Sequence, residues 1–288
     1  MTDDPQPPLA ETCGHLLRLA LQAHNAHWAA EVGGEPTSPQ YALLIAIEAQ
    51  PGIDQRRAGE LASLDTSSTM DVVARLERRG HLARGRDPRD GRRHSLTLTD
   101  AARTLLVELH PRVQQVQELL LSRVPPASVD GLLRDLAALA RLDSVIDSDI
   151  AADAPPRLPG HLVRRAQQVH TALFAEVFGA ELTGPQFAVL RTLDTGSGLS
   201  QSDVGAQAGL DKSTAADLVD RLARRGWIAR HPDAVDRRRR IVALTGQGRA
   251  ALGEAAPRVG GIQLDLLEPV DVDRRSALLT HLALVAAA

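Results

Sequence analysis

One block of roughly 125 residues occurs twice in this chain at a constant offset of 146 positions, and that repeat constrains the fold more than any other feature. PTSPQYALL at Pro36 to Leu44 returns as LTGPQFAVL at Leu182 to Leu190, and RLERRGHLAR at Arg75 to Arg84 returns as RLARRGWIAR at Arg221 to Arg230. GHLLRLALQAH at Gly14 to His24 returns as GHLVRRAQQVH at Gly160 to His170, and ELHPRV at Glu108 to Val113 returns as EAAPRV at Glu254 to Val259. An offset that never changes leaves no room for insertions, so both copies should fold alike. A unit this long holds its own small core, which makes the repeat a duplication of a domain and not a solenoid. The expected division is residues 1–150 and 151–288.

Composition narrows the class. Hydrophobic residues make up 43% and aromatic residues only 2%, so the cores must be built from Leu, Val, Ile and Ala, which favours interlocking helices over an aromatic sheet sandwich. No uninterrupted apolar run reaches membrane-spanning length, and the start MTDDPQPPLAE lacks the basic and apolar regions of a signal peptide. Cys13 is the single cysteine, which rules out an internal disulfide or a thiolate zinc site. These features point to a cytoplasmic chain with no membrane partner, no metal and no cofactor. The net charge of -3 conceals two basic strips. Arg75 to His94 carries eight arginines against Glu77, Asp87 and Asp90, and Arg221 to Arg240 carries eight against Asp233 and Asp236. A phosphate backbone responds to such a local field more than to total charge.

Periodicity places a helix over about Leu9 to Ala30, a second over Pro39 to Glu48, and a third over Gln55 to Ser63. A fourth begins at Asp65 or Thr66 and ends at Gly80. The third and fourth form a helix-turn-helix, its second member placed to enter a major groove. Leu82 to Arg86 and His94 to Leu98 alternate as two strands around DPRDGRR, a wing with an arginine-loaded tip. Thr99 or Asp100 then caps a long helix that Pro111 should bend and Pro125 and Pro126 stop, and a further helix covers about Ser128 to Ile146. ADAPPRLPG at Ala152 to Gly160 joins the lobes. The second lobe repeats the plan with helices at Leu162 to Phe178 and Pro185 to Thr192. A helix-turn-helix follows at Gln201 to Arg225, then a wing at Ile228 to Leu244 and terminal helices over Gln247 to Ala287. The fold class is therefore mainly α with small β-hairpin wings: two winged helix-turn-helix lobes joined by a helical pseudo-dimer interface. That interface would bury the surplus apolar surface of the first and last helices and set the reading helices about 34 Å apart.

The blocks SPQYALL and GPQFAVL, DTSSTMDVVARLERRGHLAR and DKSTAADLVDRLARRGWIAR, and the wings DPRDGRRHSLTLT and DAVDRRRRIVALT together resemble the MarR family of winged helix-turn-helix regulators. The likeness covers nearly all of both lobes. It implies a sequence-specific regulator of double-stranded operator DNA, a repressor released by a small aromatic or anionic effector, in which one chain does the work of a homodimer.

In the reading helices, Ser67, Ser68, Thr69 and Arg75, and in the second lobe Lys212, Ser213, Thr214 and Arg221, offer hydroxyls and cations to base edges or phosphate. Each hydroxyl has a second reading as a helix cap and nothing more. Ser68 aligns with Thr214, but Thr69 aligns with Ala215, so the two heads present different groups and unequal half-sites are expected. The wings add Arg86, Arg89, Arg92 and Arg93, and Arg237, Arg238 and Arg239. The resemblance makes Arg89 the tip arginine of the minor groove, with Asp90 and Arg92 as a brace; Val235 stands where Arg89 would recur, while Asp236 and Arg238 keep the brace.

By the same resemblance an effector enters a cleft beside the first and second helices, where His24, His27, Trp28 and Tyr41 stand in the first lobe and His170, Phe174 and Phe187 in the second. Their other reading is core packing. Cys13 precedes SPQY at about the distance of the reactive cysteine in the peroxide-sensing branch of the family. The partner tyrosines of that branch are absent, so a redox switch and an inert cysteine both stand. A ligand-responsive adaptor that does not bind DNA is the other class. An enzyme is not expected, because neither lobe carries a nucleophile motif, a phosphate-binding glycine loop or paired catalytic carboxylates.

Overall fold

The computed structural model describes residues 9, 12–86, 94–142, 155–195, 199–232 and 240–288. Compactness does not follow the repeat boundary. Ala20–Ala166 with Thr280–Ala288 form one unit, the N-repeat unit, and Met1–Leu19 with Gln167–Leu279 form the other, the C-repeat unit. Each repeat thus packs with the leading segment of the opposite copy. Helix α1 (Cys13–Glu31) begins in the C-repeat unit and continues into the N-repeat unit.

In the N-repeat unit, α2 (Ser38–Ala49) starts at Thr37, whose amide donates to the Gln40 side chain at 2.9 Å. Strand β1 (Ile53–Asp54) leads into α3 (Gln55–Leu61), with the Asp54 carboxylate accepting from the Arg57 amide at 2.8 Å. Helix α4 (Thr66–Arg78) follows, and Gly80 at φ +73° closes it in the left-handed conformation that a side chain disfavours. Strands β2 (Leu82–Arg86) and β3 (His94–Leu98) pair antiparallel from Leu82↔Leu98 to Arg86↔His94, the bounds expected from alternation. The wing has a third strand that alternation did not reveal. β1 pairs with the far side of β3 at Ile53↔Leu96, giving the order β1-β3-β2. Two residues are too short to carry a period of two. Their strand character comes only from the free edge of β3.

Thr99 caps α5 (Asp100–Leu121), which contains Pro111. The 3-10 turn Pro126–Ser128 precedes α6 (Val129–Leu139), shorter than the periodicity implied. Arg141 at φ 56° lies just beyond its end, and residues 143–146, where that helix was expected to continue, lie outside the described residues. Leu43, Leu44, Ile47, Leu76 and Leu96 are fully buried at the centre of this unit.

Pro155 and Pro156, expected in the linker, are buried in a 3-10 turn that leads into α7 (Pro159–Phe178). The C-repeat unit then repeats the plan. Helix α8 (Gly184–Thr195) and β4 (Leu199–Ser200) precede α9 (Gln201–Gln207), which is capped by a reciprocal Ser200–Asp203 pair. Helix α10 (Lys212–Arg224) and strands β5 (Ile228–Pro232) and β6 (Arg240–Leu244) follow, in the sheet order β4-β6-β5. Helices α11 (Gly246–Leu267) and α12 (Val272–Ala286) complete the chain. Gly248 is required near the start of α11, because a Cβ there would stand 1.9 Å from the Trp227 carbonyl oxygen.

Candidate functional site: reading helices, wings and pocket

The reading helices owe their starts to two aspartates. Asp65 accepts from the Ser68 amide at 2.8 Å and from the Ser67 and Ser68 hydroxyls at 2.7 and 2.9 Å. These bonds hold its carboxyl down at about 2. Asp211 accepts from the Ser213 and Thr214 amides, both at 2.9 Å, and from their hydroxyls, which likewise hold its pKa well below the usual carboxylate range. Ser67, Ser68, Ser213 and Thr214 therefore each serve the cap, and their hydroxyl oxygens keep lone pairs for a further contact. Thr69 does not face a groove. It is 3% exposed, its hydroxyl donates to the Asp65 carbonyl at 2.7 Å, and its methyl and hydroxyl cover Gly59, where no Cβ would fit. This corrects the expectation that Thr69 reads DNA: a step of one residue, about 100° around the helix, carries it from the outer face of Ser68 toward α3.

Met70, Asp71, Ala74, Arg75 and Arg78 form the exposed face of α4, and Lys212, Asp217, Asp220, Arg221 and Arg224 that of α10. Arg221 pairs with Asp217 at 2.7 Å, whereas among the described residues Arg75 has no such ion pair. The heads thus differ in free positive charge as well as in hydroxyls.

Arg84 on β2 donates to Glu77 on α4 at 2.6 Å. Arg230 on β5 pairs with Asp220 on α10 and donates to Gln201 at 3.2 Å. In each unit a strand arginine ties the wing to the reading helix, a brace the sequence did not reveal because the acids come from non-equivalent positions. Arg89, Asp90, Arg92, Arg93, Asp236, Arg237, Arg238 and Arg239, including the expected tip and its brace, lie outside the described residues, and of Arg86 only the backbone is described.

Behind the C-repeat reading head lies a clamp that was also missed. The Arg18 guanidinium donates to the Ala208 carbonyl at 2.6 Å and to the Gly209 carbonyl, in the turn between α9 and α10. It also donates to Nδ1 of His15 at 2.7 Å, which fixes that ring with its proton on Nε2. The N-repeat unit has the same clamp at the equivalent positions. Arg164 donates to the Ala62 and Ser63 carbonyls at 2.6 and 3.2 Å and contacts His161 Nδ1 at 3.1 Å. Here the ring gains a bond, with Nε2 2.9 Å from the Ser63 hydroxyl. Gly209 replaces Ser63 in the other unit and removes that hydroxyl. The signal was present in the repeat, since His and Arg recur in GHLLR and GHLVR, but nothing local says that they reach the opposite copy.

Two further pairs frame the clamps. Gln263 accepts from the Gly14 amide at 3.0 Å and Gln117 from the Gly160 amide at 2.9 Å. A Cβ at Gly14 or Gly160 would stand 2.1 or 2.2 Å from the rings of His170 or His24, so glycine lets each ring seat on the backbone. Desolvation first, and nearby arginines second, depress these histidines. His15, His24 and His170 fall to about 4 and His161 well below its ordinary value. Desolvation lowers Arg18 and Arg164 to about 10, which leaves both cationic at neutral pH.

The C-repeat unit encloses a pocket of about 130 Å³ against this clamp. Its walls include Thr12, His15, Arg18, His170, Phe174, Leu182, Gly184, Phe187, Val259 and Gln263. Among the described residues no carboxylate lines it, and Arg18 stands as a cation in a largely apolar cleft. His170, Phe174 and Phe187 of the expected effector set come together here. In the N-repeat unit the equivalents are packed. Trp28 donates to the Pro36 carbonyl at 3.0 Å and meets Tyr41 edge-on at 5.7 Å, and His24 Nε2 lies 3.2 Å from the Ser38 hydroxyl. His27 is partly buried nearby in sequence on α1, and its Nε2 has no partner among the described residues.

Because His15, His24 and His170 are uncharged when folded, they bind protons on unfolding once the pH drops below about 6.5. Their contribution is complete above that value and is lost as the pH falls toward about 4. Scanning calorimetry should show a thermal midpoint that is flat above about pH 7 and falls by on the order of 10 °C in mildly acidic buffer. Double replacement of His15 and His170 by glutamine should reduce that slope, with His24 left to carry the remainder, and an unchanged slope would exclude the two as a source.

Cys13 is 1% exposed, and burial pushes its thiol up to about 12. A thiol held protonated and out of solvent is a poor target for peroxide. The native protein is expected to resist iodoacetamide and to retain DNA in peroxide just as C13S does. Peroxide release of the wild type alone would restore the redox reading.

Two three-stranded wings, each carried by a helix-turn-helix with a capped and solvent-facing second helix, define a winged helix-turn-helix DNA-binding protein. The MarR family matches at residues 36–93 and 180–239, once in each repeat. The transcriptional regulator HosA of Escherichia coli O111:H- is 36% identical over 110 residues, which span 38% of this chain and 81% of HosA. The transcriptional repressor NicR of Pseudomonas putida is 37% identical over 99 residues, 34% of this chain and 63% of NicR. Among solved structures, the PcaV regulator of Streptomyces coelicolor with its natural ligand is 37% identical, covering 46% of this chain and 93% of PcaV at a TM-score of 0.43. The repressor CouR on a 23-mer DNA duplex is 33% identical, covering 47% and 97% at 0.43. The chain belongs to the MarR family: it is a DNA-binding transcriptional regulator with two tandem winged helix-turn-helix modules, not an enzyme. Among the described residues no helix is long and apolar enough to cross a membrane, and no three His, Cys, Asp or Glu side chains form a metal-binding group.

Proposed function

We propose that this regulator is a repressor in which one chain supplies both reading heads, and that a small aromatic acid in the C-repeat pocket releases it from its operator. The observation that carries this reading is the double engagement of Arg18: it lines the pocket and also holds the Ala208 and Gly209 carbonyls between α9 and α10. A carboxylate entering the pocket competes for that guanidinium, since an ion pair carries charge on both partners and the bonds to neutral carbonyls on only one. The turn that sets the angle of α10 then loses its anchor. Phe174 and Phe187 supply faces for a ring.

On the DNA side, Ser67, Ser68, Arg75, Lys212, Ser213, Thr214 and Arg221 are the reading-helix contacts of this proposal. Arg86, Arg89, Arg92, Arg93 and Arg237 to Arg239 serve the wings. Val235 in place of Arg89, and the pairing of Arg221 with Asp217, support half-sites of unequal sequence. The relative NicR is named as a repressor, which supports the sign of regulation. Two heads on one chain make the second docking intramolecular. The cell compartment of this reading is the cytoplasm, where the DNA lies.

The test is selection from random duplexes by the purified chain, followed by fluorescence anisotropy on the winning sequence with and without benzoate or its monohydroxy isomers. One chain should protect two unequal half-sites and lose affinity when an acid is added. An R18M variant should bind more weakly and ignore the acid. Acids that bind the protein yet leave its operator affinity untouched would sink the release mechanism, and no sequence enrichment at all would favour an adaptor.

A further inference from the structure

The two clamps are equivalent, but the spaces beside them are not. At four lining positions the N-repeat unit carries the larger side chain: Leu158 where the C-repeat unit has Thr12, Trp28 for Phe174, Ser38 for Gly184, and Tyr41 for Phe187. Each of the four has work in its own unit. Leu158 packs on the N-repeat core, the Trp28 indole is bonded to Pro36, Tyr41 is 3% exposed against that indole, and Ser38 meets His24. His161 spends its second nitrogen on Ser63, while Gly209 offers His15 no such hydroxyl. The cations differ in the same sense, with Arg164 only 8% exposed and Arg18 half-buried beside open volume.

We infer that one chain takes one effector, a planar single-ring monocarboxylate held in the C-repeat unit, and that the N-repeat unit has its equivalent space filled by its own side chains. This rests on the effector reading above. A volume of about 130 Å³ open to water corresponds to on the order of ten water positions, the bulk of one substituted ring. Arg18 selects the carboxylate, and the Phe174 and Phe187 rings select a flat partner. Gly184 is the residue that leaves the opening: a Cβ there would touch His170 at 3.6 Å and Phe174 at 3.9 Å, ordinary contacts that would take up pocket volume without displacing backbone. Duplication has therefore separated the roles. One unit keeps a response to ligand and the other keeps a fixed clamp, so release is a one-ligand event with no cooperativity between sites.

Titration calorimetry of benzoate and its three monohydroxy isomers into the full-length chain should give one site per chain for each acid that binds. G184S alone should weaken binding about ten-fold by overfilling the cleft. The exchange T12L/F174W/G184S/F187Y installs side chains that the N-repeat unit already accommodates and should abolish the site. The reciprocal exchange L158T/W28F/S38G/Y41F should raise the stoichiometry to two. Circular dichroism and DNA anisotropy report whether each variant is folded; if the first exchange does not fold, the wild-type stoichiometry and the reciprocal set decide. Two sites in the wild type, or one site that survives the first exchange, overturns this inference and leaves the effector reading standing. Failure of all four acids to bind overturns both.

Discussion

Reversing one arginine on each reading helix, Arg75→Glu with Arg221→Glu, is expected to lower operator affinity by at least about a thousandfold at physiological salt. Both side chains are exposed on the helix faces that carry the capping hydroxyls. Each reversal removes an attraction to phosphate and adds a repulsion of similar size, and two such changes on one chain act on the same bound state. The single variants should not be equal. Arg75 has no ion pair among the described residues, whereas Arg221 already shares its charge with Asp217 at 2.7 Å, so R75E should cost more than R221E. The slope of log affinity against log salt should fall by about one for each phosphate that the protein ceases to neutralise. R134E on α6 is the charge-matched control, since Arg134 belongs to neither a reading helix nor a wing. Equal weakening by R134E would show that total charge, and not the reading face, carries the binding.

The largest effect on stability is expected from Arg164→Ala. Arg164 is 8% exposed, and its guanidinium satisfies two carbonyls at the end of α3, the Ala62 and Ser63 oxygens. Alanine leaves those oxygens without their donor and opens space beside His161, together about 3 kcal/mol. For a protein of this size that corresponds to a fall in thermal midpoint of roughly 5–10 °C. It also strands Ser63, a residue other than glycine held at φ 50°. Arg18→Ala makes the same cut in the C-repeat unit, but Arg18 is half-buried and the residue at the turn is Gly209, at ease at φ 61°. Its cost should be about 1 kcal/mol. Calorimetry that found equal destabilisation would remove the distinction between a fixed clamp and a responsive one.

Long elements were legible because their residues state a period. Strands β2 and β3 have the bounds that alternation indicated, and the starts of α4 and α10 follow from Asp65 and Asp211, whose side chains cap whatever helix comes after them. Strand β1 was not legible, because its two residues acquire strand character only from partners distant in sequence, Ile53 from Leu96 and Asp54 from Ser95. Thr69 was misjudged for a related reason. Serines and threonines in a row look alike in sequence, and only the packing of α4 on Gly59 decides which of them turns inward. The wing tips, which carry the densest charge, lie outside the described residues, so their reading still rests on sequence and family.

The sequence by itself determined that there are two copies of one DNA-reading module, where each reading helix begins, and which strips carry positive charge. Those properties are local: periodicity, capping and charge act over a few residues and need no knowledge of the rest of the chain. Only the tertiary structure decided that the leading segment of each copy packs with the opposite repeat, so that Arg18 meets Ala208 and Arg164 meets Ala62. Only it decided that a pocket opens beside Arg18. Whether Phe174 and Gly184 leave a cavity depends on how side chains distant in sequence divide a shared volume, and close packing settles that division in three dimensions.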